Sequence, residues 1–258
     1  MRFIILFLTG FLSASSLFAQ PELAIIKSAE GSAKIYTEQN SKSKMLGKIK
    51  TDELFYCEET DSDWWEVTYF KKKKGEIQGN IHDSKIQLFY DLPVKTQKKR
   101  IRAILERQKY LALKFYEMRT AQDENADEVW ADDADSIPNA GISYQRQLHH
   151  DEVYEILLET LPDYFCENQD WETLRLVFEV ADAEWYSSCL ETPTIITADV
   201  FTCNPEIVKK LIENTSDVKK KNFMIETIDN GLEQIFSEEE NEYIAHKKKL
   251  DGIWVVKR

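Results

Sequence analysis

The sequence has little glycine, histidine and cysteine for its length, and each shortage narrows the possible functions. Its 258 residues include eight glycines, four histidines and four cysteines. It contains no glycine-rich phosphate loop, no Gly-x-Ser-x-Gly nucleophile motif and no His-Glu-x-x-His zinc motif. The cysteines form no Cys-x-x-Cys pair of the kind that binds zinc. We therefore predict a protein that is not an enzyme, with no catalytic residues, no cofactor and no metal site.

Basic residues are fewer than acidic residues. Lysine and arginine number 33 against 46 aspartates and glutamates, which gives a net charge of −13. A nucleic-acid partner requires a concentrated basic face, so this composition excludes that class. The same acidity is compatible with a cationic protein partner, because charge of opposite sign speeds association.

Long apolar runs are absent after the N-terminus. The first residues, MRFIILFLTGFLSASSLFAQ, are typical of a secretory signal peptide, with a basic start at Arg2, an apolar run of about ten residues and small residues before Ala19. We predict that residues 1–19 are removed, which takes the net charge from −13 to −14 because Arg2 is the one charge lost. The mature chain is then periplasmic or secreted, with no transmembrane segment after cleavage. A retained interfacial anchor is the alternative.

The cysteines fit an exported protein. Cys57, Cys166, Cys189 and Cys203 all lie beyond the predicted cleavage site, and an even number permits two disulfides in three connectivities. Because three of the four lie between positions 166 and 203, we expect a disulfide in that region. Buried free thiols are the alternative.

The distribution of glycine divides the mature chain into two parts. Four glycines fall between positions 31 and 79, whereas three are spread over the rest of the mature chain. Turn-rich β structure uses glycine, and helices avoid it. We therefore predict an α+β multidomain protein with a small β domain over residues 22–90, a linker containing Pro93, and an irregular, mostly α-helical bundle over residues 95–258.

The segment ETDSDWWEVTYF, residues 59–70, alternates with the period of a β-strand. Trp65, Val67 and Tyr69 then share one face, and Trp64 lies on the other. Both tryptophans cannot point into the same core. One large aromatic side chain is therefore available for a ligand or for a contact with the second domain.

The first domain resembles the bacterial SH3-like family. Three stretches carry the resemblance, in family order: EGSAKIYTEQNSKSKMLGKIKTDE, DSDWWEV and KGEIQGNIHDSKIQL. The resemblance implies a small barrel of five or six strands that attaches exported proteins to peptidoglycan or to a protein partner. It also implies that Trp64 lines the binding groove, shared with Tyr36. The chain departs from the family at Gly79–Asn80, where an aromatic residue often follows the glycine.

The second domain shows helix signals without a repeat. Residues 95–119 have helical periodicity, and Asp151, Asp170, Asn204 and Asp217 are suited to begin helices. About six helices are expected. The tail DGIWVVKR, residues 251–258, is apolar and suggests a strand, and the adjacent His149 and His150 are expected to be exposed.

These observations favour an exported, non-enzymatic binding protein whose SH3-like domain engages a cell-wall polymer or a protein partner. One alternative is a periplasmic inhibitor or immunity-type protein against a basic toxin or hydrolase. A second is a cell-wall hydrolase with an unrecognised catalytic domain.

Overall fold

The structure is a computed structural model and describes residues 22–51, 53–71, 75–123, 140–184, 191–236 and 241–255. Strands come first and helices follow, so the α+β class is confirmed. The strands are β1 Glu22–Ile26, β2 Ser32–Tyr36, β3 Met45–Lys50, β4 Leu54–Glu58, β5 Trp64–Lys71, β6 Gly75–His82 and β7 Ile86–Leu88. The helices are α1 Val94–Asp123, α2 Ala140–His149, α3 Glu155–Glu167, α4 Trp171–Glu184, α5 Glu191–Cys203, α6 Pro205–Asn214, α7 Val218–Ile235 and α8 Asn241–Val255.

The strands form one antiparallel sheet in the order β3-β2-β6-β5-β4-β1-β7. The sheet is open, with β3 and β7 as its edge strands, and it has seven strands rather than the expected five or six. A closed SH3-like barrel is therefore not confirmed. Strands β5 and β6 pair as antiparallel neighbours along their whole length, with Lys71 paired to Gly75, and residues 72–74 lie outside the described residues.

Each side of β1 is buried in a different core, which explains its unbroken apolar run. Ala24 and Ile26 face the concave side of the sheet, where they pack with Ile35, Phe55 and other residues of the sheet. The alternate positions, Leu23 and Ile25, face the helices and belong to a second core that extends into all of α3 to α8. Strand β4 divides its side chains in the same way. The sheet and the helices are thus joined by a shared hydrophobic core.

Gly79 allows β2 and β6 to approach each other closely. A Cβ atom at this position would lie 2.6 Å from the Cγ2 atom of Ile35 and 2.6 Å from the carbonyl oxygen of Tyr36. Both distances are below van der Waals contact, and one of them is to backbone that cannot rotate away. The glycine therefore fixes how Tyr36 sits against β6.

Several helix boundaries follow the sequence signals. Asp217 accepts hydrogen bonds from the backbone N–H groups of Lys219 and Lys220 at the start of α7. Asp170 accepts from the backbone N–H of Thr173 at the start of α4, and Pro205 opens α6. Asp151 does not begin a helix as expected. Instead, a π-helical turn over His150–Tyr154 joins α2 directly to α3.

The C-terminal segment differs most from expectation. The predicted strand at residues 251–258 is wrong, because α8 continues through Val255 and residues 256–258 lie outside the described residues. Leu250 is fully buried against the helical core, and Ile253 packs against it. The three-residue spacing of these two side chains suits one face of a helix.

Candidate functional site

The alternation in β5 places the two adjacent tryptophans as the sequence predicts. Val67 and Tyr69 are buried on the concave side of the sheet, and Trp65 packs against the same core. Trp64 projects from the opposite, convex side and is half-buried. The helices cover this convex side at β4, where the hydroxyl of Tyr56 donates to Glu159 at 3.3 Å.

Trp64 is the centre of a cluster of three aromatic rings. The ring centroid of Tyr36 lies 5.8 Å from that of Trp64, at an interplanar angle of 83°. The imidazole of His82 lies 5.3 Å from Trp64, at 72°. Both are edge-to-face arrangements, the favoured geometry for aromatic pairs. The structure therefore brings together Trp64 and Tyr36, the two binding residues named from sequence.

His82 was not identified from sequence as part of this site. It joins the cluster because β5 and β6 pair with Trp64 directly opposite His82, and side chains opposite each other in a sheet share a face. The register of these two strands depends on how many residues separate them, and a single sequence does not specify it. The sequence predicts the alternation within β5, but it does not predict which residue lies opposite Trp64 on the neighbouring strand.

Short polar residues hold the backbone around Trp64. The hydroxyl of Thr60 donates to the carbonyl oxygen of Trp64 at 2.5 Å, and the hydroxyl of Ser62 accepts from its N–H at 3.1 Å. On the neighbouring strand, Nδ1 of His82 accepts from the backbone N–H of Ser84 at 3.3 Å. These bonds hold the backbone of Trp64 and the imidazole of His82 in place before any ligand arrives, which lowers the entropy cost of binding.

The three rings border a groove of about 370 Å³, here called the aromatic groove. All the described residues that line it belong to the sheet and its loops, from Glu30 to Lys85. No residue of the described helices lines it. The alternative in which the helical domain buries Trp64 is therefore not the arrangement seen in this part of the chain.

A second polar cluster lies inside the helical region. The amide of Gln108 on α1 donates to Glu184 on α4 at 2.6 Å, and both side chains are fully buried. Its carbonyl oxygen lies 2.7 Å from Nδ1 of His149 on α2, so the imidazole donates there. Arg146 approaches the same carboxylate at 3.8 Å. Desolvation raises the pKa of Glu184, although Gln108 and Arg146 oppose the shift.

This cluster joins three helices, and its residues do not line the aromatic groove. The expectation that His149 is exposed is wrong, because its ring packs between α1 and α2. Burial is the main reason that the pKa of His149 falls to about 4, with Arg107 and His150 adding to the effect. The arrangement suits helix packing, and we assign it no catalytic role.

The described cysteines include both a disulfide and a buried free thiol. Cys166 at the end of α3 and Cys203 at the end of α5 form a disulfide. Cys189 lies outside the described residues. Cys57 is a buried free thiol, and desolvation with the nearby Glu22 and Glu58 raises its pKa to about 12. A thiol with this pKa stays protonated near neutral pH and is a poor nucleophile.

Neither a metal centre nor a membrane span is found in the described residues. No group of three histidine, cysteine, aspartate or glutamate side chains in these residues is placed to hold a metal ion. Among the described helices, none combines the length and apolarity that crossing a membrane requires.

Comparison of the chain with protein-family models, with curated proteins and with solved structures gave no match. The function must therefore be argued from the site itself.

Proposed function

We propose that this protein is an exported, non-enzymatic binding protein whose aromatic groove engages a cell-wall polymer. The observation that carries the proposal is the contact of Trp64 with Tyr36 and His82 at the border of an open groove. Clustered aromatic side chains are favoured binding anchors because they offer large apolar area at little entropy cost.

The fold and the cysteines support this proposal. Side chains from one face of the sheet form a core of their own, which is compatible with an SH3-like domain, although the sheet is open. The Cys166–Cys203 disulfide is of the kind that persists in oxidising compartments, which supports a periplasmic or secreted location. The described residues that line the groove all belong to the sheet and its loops.

Co-sedimentation of residues 20–258 with purified peptidoglycan sacculi tests the proposal. We expect saturable pelleting without release of soluble sugar. Trp64→Ala should weaken binding about 30-fold, because a central aromatic anchor contributes about 2 kcal/mol. Tyr36→Ala should weaken it in the same direction.

The control is Tyr110→Ala, which removes a half-exposed aromatic ring from α1, far from the groove in sequence and on a different element. It should bind like the wild type. If Trp64→Ala pelleted as much as the wild type, the groove would not be the binding site. Sugar release would favour the hydrolase alternative, whereas salt-sensitive binding to a cationic protein, without binding to sacculi, would favour the inhibitor.

A further inference from the structure

Two lysines stand directly opposite each other beside the aromatic groove. Lys34 on β2 is the cross-strand partner of Lys48 on β3. The neighbouring residues Ala33, Ile35 and Ile49 point into the core, so both lysines project from the convex face that carries Tyr36. Like charges at directly opposed positions destabilise a sheet.

Lys85 adds a third positive charge to the same groove, from the turn that follows β6. In the part of the chain that the structure describes, no ion pair joins any of these three lysines to a carboxylate. Glu30 is the one acidic side chain among the described residues lining the groove, so the lining carries a net charge of +2. The whole chain carries −13.

The positive charge is separated from negative charge across the convex face. Glu58 and Glu66 are also cross-strand partners. Glu66 lies on β5 two residues after Trp64, and Glu58 lies on β4, the next strand away from the lysines. A ligand in the aromatic groove therefore meets cationic side chains at its β2–β3 end. Carboxylates lie toward the other end, at Glu66 and Glu58 and at Asp83, whose Oδ1 is 2.9 Å from Nδ1 of His82. This polarity favours one orientation of a charged ligand.

We infer that the aromatic groove binds a carboxylate-bearing glycan, with a carboxylate held between Lys34 and Lys48 and a sugar ring packed against Trp64. The inference rests on the proposed function and adds the chemical class of the ligand. A carboxylate between two ammonium groups replaces their repulsion with two attractions. Aromatic side chains supply the apolar surface on which a sugar ring can lie.

The carboxylates of peptidoglycan are the source to which we commit, and sacculi freed of phosphate polymers by acid extraction are the probe. One portion is treated with carbodiimide and methylamine, which converts carboxylates to neutral amides. Binding isotherms are measured at low salt for the wild type, Trp64→Ala and Lys34→Gln/Lys48→Gln. The control variant Lys219→Gln/Lys220→Gln removes the same charge from exposed positions on α7.

We expect Lys34→Gln/Lys48→Gln to bind intact sacculi about tenfold more weakly than the wild type, as two partly exposed ion pairs allow. Amidation of the sacculi should weaken the wild type by a similar factor and leave this variant unchanged. Lys34→Arg/Lys48→Arg should restore binding because it restores the charge, and the α7 control should match the wild type. Circular dichroism checks that each variant is folded.

Equal binding of the wild type to intact and amidated sacculi would overturn the inference, as would wild-type binding by Lys34→Gln/Lys48→Gln. If Trp64→Ala still weakened binding in those cases, the proposed function would stand without its carboxylate preference. Binding that requires the phosphate polymers of unextracted walls would also overturn the inference. Absence of any pelleting would contradict both proposals.

Discussion

At the scale of single residues, His149 and Trp64 show what a sequence does and does not reveal. The direction of Trp64 was predictable, because the period of a strand is visible in adjacent residues. The environment of His149 was not, because its hydrogen-bonding partner Gln108 is 41 residues away. The carboxylate at the far end of the cluster, that of Glu184, is 76 residues from Gln108. Such contacts exist only once three helices have packed.

The depressed pKa of His149 makes the stability of the protein depend on pH. Its pKa falls from 6.5 to about 4 on folding. Between these values the unfolded chain binds a proton at this imidazole and the folded chain does not, so stability falls as the pH falls from about 6.5 to about 4. Glu184 acts in the opposite sense, because its raised pKa gives a contribution that is lost as the pH rises through that pKa.

His149→Gln separates the two contributions. Glutamine can donate to the carbonyl oxygen of Gln108 but does not titrate, whereas Glu184 is retained in both proteins. Relative to this variant, we expect the wild type to lose about 2 kcal/mol of its free energy of unfolding between pH 7 and pH 4, allowing for partial exposure of the ring. Urea unfolding at a series of pH values measures the difference. Parallel curves for the two proteins would contradict the assignment.

At the scale of elements, α7 packs closely against α5 at Gly231. A Cβ atom there would lie 2.3 Å from the carbonyl oxygen of Thr194 and 2.7 Å from the Cβ atom of Ala198. Neither neighbour can rotate away, because one is backbone and the other is the first side-chain atom. The glycine that interrupts the helical pattern of α7 is thus explained by its packing against α5.

Gly231→Ala should therefore separate the two helices and destabilise the protein by about 3 kcal/mol, the upper range for overpacked core sites. The matched control is Gly252→Ala on α8, where no atom beyond the adjacent residues and the backbone of the same helix lies within 4 Å of the new methyl group. That control should be neutral or add up to about 1 kcal/mol, because alanine favours helix more than glycine does. Thermal unfolding of both variants measures the difference in stability. Equal unfolding midpoints would show that α5 moves to accommodate the methyl group at little cost.

The elements themselves were predictable where the signal is local. Helix α1 follows from the spacing of its apolar residues. Asp217 marks the start of α7 because its side chain accepts a hydrogen bond from the backbone N–H of Lys219, two residues further along the chain. Two expectations failed. The tail enters α8, where Leu250 packs into the helical core, and a π-helical turn replaces the helix start expected at Asp151. The closed barrel is not confirmed, because the sheet is open.

At the scale of the whole molecule, the boundary between the sheet and the helices is not a boundary between cores. Leu23, Ile25 and Leu54 of the sheet pack with residues of the helices, as does Phe89 just beyond β7. The glycine distribution and Pro93 predict where strands give way to helices, and the helices do begin at Val94. What the sequence does not show is that β1 is apolar on both sides because helices cover one of them.

This shared core predicts one cooperative unfolding unit rather than two. Calorimetry of residues 20–258 should show a single transition whose calorimetric and van't Hoff enthalpies agree. A fragment of residues 20–92 would leave four large apolar side chains without their helical partners. The free-energy cost of exposing them to water is larger than a sheet of this size can offset. We expect that fragment to lack a cooperative transition. Two resolved transitions in the long chain, or cooperative unfolding of the fragment, would instead make the aromatic groove the property of an independent domain.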